Sequence, residues 1–159
     1  MRINNTELKG TRQQQSNKRL FAGTHLMKWE IDYIEDHGIV KAKTSGQIGW
    51  NDKIKLSEEM LAAGRAKNAN AFLVDHKETA FGLSVLEIDR LPDTFRSIGF
   101  SEKDKMAILC SPESPNKDLF VFLQNVFTLS SLQIRVFTDP DEATAWLKKK
   151  SLKQAKNCV

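Results

Sequence analysis

Between residues 105 and 147 the chain spells out strand, helix, strand, helix. Residues 105–110 (KMAILC) form an apolar run, and residues 115–131 are a helix-length stretch rich in Phe, Leu and Val. Residues 133–138 (QIRVFT) are a second apolar run, after which Asp139 opens a last helix. The connection between the two runs is too long for a hairpin, so they pair in parallel as a βαβ unit. Parallel strands need helices over their faces, which sets the class as α/β.

The rest of the chain extends that unit. Trp29, Ile31 and Tyr33 alternate with Lys28, Glu30 and Asp32, which predicts a half-buried strand. Turn chemistry at Glu35, Asp36, His37 and Gly38 returns the chain as a second strand over 39–44, the one local hairpin. Residues 45–49 read as a loop, and Ile54, Leu56, Met60, Leu61 and Ala63 place a helix from about 51 or 52 to 67. Residues 71–75 (AFLVD) predict a strand buried on both faces. Ser84, Ile88, Leu91, Phe95 and Ile98 predict a helix that Pro92 kinks or divides and Gly99 ends. In the next helix Leu119, Leu123, Val126 and Ser130 form a face that Phe120 and Phe127 widen. In the last, Asp139, Pro140 and Glu142 predict a complete capping box. The order is ββαβαβαβα: a mixed five-stranded sheet, mostly parallel with one antiparallel contact. Phe95, Phe120, Phe122, Phe127 and Phe137 are expected to fill its core.

Charge divides the chain into three parts. Its formal net charge is +4, but residues 1–26 carry +4 and residues 148–159 carry +5, leaving −5 for residues 27–147. Residues 1–26 are polar and lack apolar periodicity, so a flexible leader is expected, followed by a domain over 27–150 and a basic tail over 151–159. With an acidic body and basic ends, no nucleic-acid partner is expected. The Lys148, Lys149 and Lys150 run reads as a solvated helix end. Cys110 and Cys158 lie far apart, which fits a reduced, cytoplasmic setting rather than a disulfide framework. No apolar run approaches the roughly 18 residues of a spanning helix, so stable membrane insertion is not expected.

The strand "FLVD" at 72–75, the strand "KMAIL" at 105–109 and above all "IRVFTDPDEATAWL" at 134–147 resemble the STAS superfamily. That group includes the anti-sigma-factor antagonists and the cytoplasmic domains of sulfate transporters. The small bacterial stand-alone members, grouped with the sporulation anti-anti-sigma factor and called STAS/SEC14-like, are the most similar. The resemblance covers about residues 27–149 and implies a non-enzymatic regulatory domain that binds a kinase-like anti-sigma factor. It also implies a Ser switch, phosphorylated in an Asp-Ser-Ser stretch at the start of the helix after the third strand. On that alignment Phe81 matches an aromatic position and Ser84 falls on the first Ser. Leu83 replaces the Asp, and Val85 occupies the phosphorylated position. The SEC14 likeness implies an alternative, a carrier of an apolar small molecule or lipid.

Open α/β sheets bind ligands beyond the carboxyl ends of their strands. This points to the stretch after residue 75, expected as a polar loop carrying Asp75, His76, Lys77 and Glu78. Asp75, His76, Thr79, Phe81 and Ser84 are the candidate binding residues. A helix N-terminus over 79–84 would suit a phosphorylated side chain, so Ser84 and Thr79 are the candidate phosphorylation sites. The plainer alternative is that Asp75 ends a strand and Ser84 caps a helix. A hydrolase using His76 and Ser84 is a third reading, but no nucleophile elbow or second His accompanies them, and no catalytic residue is assigned. His25, His37 and His76 have no metal-ligand spacing, so neither metal nor cofactor is expected. The edge strand at 28–35 is open to pairing with a second copy, which would make a homodimer.

Overall fold

The computed structural model describes residues 26–149. The readings of residues 1–26 as a leader, Leu26 apart, and of 151–159 as a basic tail lie outside the described residues. The elements are β1 (Lys28–Ile34), β2 (Ile39–Ile48), α1 (Trp50–Ala66), β3 (Ala71–Phe81), α2 (Val85–Ile98), β4 (Lys105–Leu109), α3 (Lys117–Leu129), β5 (Gln133–Phe137) and α4 (Pro140–Lys148). They form one five-stranded sheet in the order β1-β2-β3-β4-β5. β1 pairs antiparallel with β2, and every later pairing is parallel, as the sequence predicts. No helix among the described residues is long and apolar enough to cross a membrane.

Alternation along the strands sorts the core into two parts. Val40 and Ala42 of β2, Phe72 and Val74 of β3, and Met106 and Ile108 of β4 face the larger cluster, where Leu56, Met60, Ile88, Leu91, Phe95, Phe120, Leu123 and Phe127 descend from α1, α2 and α3. Ile39, Ala71, Leu73, Ala107 and Leu109 face the other way, against Ala143 and Leu147 of α4. Three helices thus cover one face and one covers the other. Phe95, Phe120 and Phe127 are fully buried on the larger face, while Phe122 and Phe137 are half-buried.

Several local expectations change in the structure. Residues 45–48 belong to β2 instead of a loop, because Gly46, at φ +91°, lets the chain at Leu26 lie against it. A Cβ there would stand 2.3 Å from the Leu26 carbonyl oxygen. Pro92 sits inside a single helix, Val85–Ile98. Its ring is buried in the core, which offsets the one backbone bond that proline cannot donate. Gly99 ends that helix at φ +123°, as expected. At α4, Asp139 accepts the Asp141 N–H at 2.8 Å, one residue short of Glu142, and Glu142 makes no return bond to Asp139 among the described residues, so a simple cap stands where the sequence predicts a box.

The sheet's two edges differ. β5 has two outward N–H groups: that of Val136 is taken by Gln124 Oε1 of α3 at 2.9 Å, and that of Ile134 by the Leu132 carbonyl at 3.2 Å. No comparable cap reaches the outer edge of β1 among the described residues.

Candidate functional site

β3 is the longest strand, and its second half builds the site. Lys43 pairs with Asp75 and Ser45 with Glu78, so His76 and Lys77 together oppose Thr44 in a β-bulge. The extra residue shifts the alternation by one. Before the bulge the even positions Phe72 and Val74 face the three-helix side; after it, the odd positions Thr79 and Phe81 do. His76 stands at the shift. The expected polar loop after Asp75 is therefore strand, and Thr79 lies within β3 rather than at a helix N-terminus.

Thr44, Lys53, His76 and Thr79 make a buried polar network beneath α1. Thr44 Oγ1 lies 2.9 Å from the Asp75 carbonyl oxygen, 2.7 Å from His76 Nδ1 and 2.6 Å from Thr79 Oγ1. A hydroxyl has one proton, and a carbonyl only accepts, so Thr44 donates to Asp75 O. It must then accept from the other two neighbours. His76 therefore carries its proton on Nδ1, and its bare Nε2 faces the Lys53 ammonium at 3.5 Å. Burial, and then the Lys53 charge, lower the His76 pKa well below its usual value, which keeps the ring neutral.

Lys53 is the unusual member. It is 1% exposed, with no carboxylate within 4.0 Å among the described residues. Its Nζ also lies 5.8 Å from the centre of the Phe95 ring. Desolvation lowers its pKa to about 8. Sequence reasoning missed Lys53, yet a signal was present: Lys53, Leu56, Ser57, Met60 and Gly64 share the buried stripe of α1.

The candidate residues are not gathered into one cluster. His76 and Thr79 meet through Thr44, whereas Asp75 accepts the Lys77 N–H at 3.0 Å and lies 3.6 Å from Lys77 Nζ. Phe81 is buried, with its ring 4.8 Å from that of Phe120. Ser84 is exposed and is the N-cap of α2, accepting the Glu87 N–H at 3.3 Å. Glu87 Oε2 in turn accepts from Ser84 N at 2.7 Å and from Ser84 Oγ at 3.0 Å, a full capping box. Both ring nitrogens of His76 are engaged elsewhere, so no His76–Ser84 hydrogen bond forms.

Solved structures share this architecture. A crystal structure of an anti-sigma factor antagonist from Mycobacterium paratuberculosis matches 78% of the chain and 96% of its own, with a TM-score of 0.54 and 12% identity. An uncharacterized protein with a SpoIIAA-like fold from Shewanella loihica matches 77% of the chain and 94% of its own, with a TM-score of 0.51 and 20% identity. The chain has a STAS-like fold. No family model and no curated protein matches it.

At the carboxyl end of β2 and β3 the STAS-like domain presents an outer rim over this buried network. Val85 is 55% exposed and Leu86 73% exposed in the first turn of α2, directly after Ser84. Leu26, 65% exposed, joins them at the same end of the sheet, bridged to Gln47. A second feature lies between α3 and α4, where Cys110, Phe120, Val121, Val136 and Phe137 line a cleft of about 270 Å³. Burial raises the Cys110 thiol pKa, against the pull of Lys117.

Proposed function

We propose that this STAS-like domain is a non-enzymatic regulatory module of the cytoplasm that works by binding another protein, in the manner of an anti-sigma-factor antagonist. The observation that carries the reading is the exposed Ser84-Val85-Leu86 turn at the start of α2. It stands where the resembling family makes its regulated contact. The buried network beneath supports the same reading, because His76 and both threonines are saturated by one another and offer no free base or nucleophile. Ser84 is the modification site in this proposal. A phosphate there would meet Glu87, whose carboxylate lies 3.0 Å from the Ser84 hydroxyl, and would open the capping box. Thr79 is buried and is not offered to a modifying enzyme.

Affinity capture from cells that naturally express the protein tests the reading. Leu86→Asp is expected to lose a partner that the wild type and Leu129→Asp both retain, Leu129 being exposed on α3 away from the rim. Retention of every partner by Leu86→Asp would contradict it. Phe81 is unsuitable for this test, since its substitution would disrupt the core.

The cleft between α3 and α4 favours a second reading, a carrier of an apolar small molecule. Its 270 Å³ falls just below the usual range for a ligand pocket, so the bound molecule would be fragment-sized. Native mass spectrometry of the purified protein is expected to show a retained small molecule if this reading holds, and bare protein if it does not.

A further inference from the structure

The opposite end of the sheet holds a cluster of charge that the proposed function does not use. Lys103, Lys105, Lys148 and Lys149 line a cleft of about 450 Å³ with Asp36 and His37 of the β1–β2 turn. These lysines come from three places: the segment before β4, the first residue of β4 and the end of α4. Four lysines and a single acidic residue, Asp36, thus line one cleft. No carboxylate lies within 4.0 Å of any of the four ammonium groups among the described residues.

Lys105 gives the cluster a fixed centre. Its Nζ donates to the Trp146 carbonyl at 3.0 Å and the Lys149 carbonyl at 2.5 Å, and it stands 4.8 Å from the Trp146 ring centre. These bonds occupy carbonyls of the last turn of α4, so the negative end of that helix is already answered by a cation. Burial, then Arg135 and Lys149, lower the Lys105 pKa. Arg135 and Lys149 thus oppose the Lys105 charge, and an anion in the cleft would relieve that repulsion.

We propose that this cleft, at the amino end of the parallel strands, binds a ligand through a phosphate group. A phosphate carries about two negative charges and several acceptor oxygens, which suits convergent lysines better than a single carboxylate does. Lys103, Lys148 and Lys149 are exposed and can move onto the ligand, while Lys105 marks the floor. The phosphate can belong to a soluble phosphoester or to a lipid headgroup, and the two sources are separable by experiment. The site is distinct from the Ser84 rim, since β2 and β3 begin here, at Ile39 and Ala71, and end there, at Ile48 and Phe81.

The test uses the full-length protein, with inorganic pyrophosphate as the soluble probe and phosphatidylcholine vesicles, with or without phosphatidic acid, as the lipid probe. The cleft variant is Lys103→Glu with Lys149→Glu, both exposed positions, and Lys28→Glu with Lys55→Glu, two exposed positions on β1 and α1, is the charge-matched control. Circular dichroism melts confirm that each variant folds. Wild type is expected to bind pyrophosphate, with affinity roughly tenfold weaker in the double variant and unchanged in the control. Phosphatidic-acid-dependent vesicle binding that the cleft variant loses and the control keeps would assign the phosphate to a lipid headgroup. Pyrophosphate binding alone, with the same variant pattern, would assign it to a soluble phosphoester. Binding of neither probe, or equal weakening by the control, would overturn the site.

Discussion

Lys53 and Lys105 are both buried lysines without a carboxylate partner among the described residues, and they show how differently one residue type is accommodated in two regions of the fold. Lys53 lies under the three-helix face, with one imidazole nitrogen at 3.5 Å and an aromatic ring beyond it. Lys105 lies at the amino end of β4, where two carbonyl oxygens receive it. The first is a charge held against its desolvation cost, and the second closes a helix end. Burial alone does not tell whether a lysine stabilises its surroundings; the atoms around its nitrogen do.

The largest effects should separate the two faces themselves. Phe95→Ala, on the three-helix side, is expected to cost about 3–5 kcal/mol in chemical denaturation, against about 2–3 kcal/mol for Leu147→Ala under α4. A reversed order would mean that the smaller face, not the larger, carries the fold. Next in size is Thr44→Val, expected to cost about 2–3 kcal/mol. It leaves the His76 Nδ1–H and the Thr79 hydroxyl without an acceptor and the Asp75 carbonyl without its donor.

The lysines then differ in sign. Lys53→Met is expected to raise stability at pH 7 by about 1–3 kcal/mol, whereas Lys105→Met is expected to lower it by about 1–2 kcal/mol. The pH profile sharpens this contrast. Lys53 titrates at about 8 when folded and near 10.5 when unfolded, so between those values the unfolded chain binds more protons. Stability should therefore rise from about pH 8 to about pH 10.5, and Lys53→Met should remove that rise. His76 has the same sign in an acidic window. Its folded pKa lies below 6.5, so stability should fall as pH drops below that value. The smallest effect is at the rim: Leu86→Asp should change stability by less than about 0.5 kcal/mol, because Leu86 is already in solvent.

The sequence shows the outer plan of the molecule more clearly than its interior. The two apolar runs at 105–110 and 133–138, with a helix between them, are enough to specify parallel pairing, and the structure has it. The extent of β3 was hidden because the bulge at His76 and Lys77 breaks the two-residue period on which strand reading depends. His76 therefore reads as a loop residue and Thr79 as the start of a helix, although both are buried in β3. Lys53 was legible as a lysine on the apolar stripe of α1, but Thr44 was not, since a threonine in a strand is unremarkable until its neighbours are known. The lysine cleft was the least legible feature. Lys103 and Lys105 meet Lys148 and Lys149 only because α4 folds back over β3 and β4.

The structural heart of this account is a closed polar network in which His76 is neutral, protonated on Nδ1, and accepts from Lys53. Nitrogen NMR of His76, recorded on the full-length protein from pH 5.5 to pH 8, tests it most directly. A single neutral Nδ1–H tautomer throughout that range is the predicted result. A ring that becomes an imidazolium near pH 6.5, or one protonated on Nε2, would contradict it and reopen His76 as a group available for chemistry.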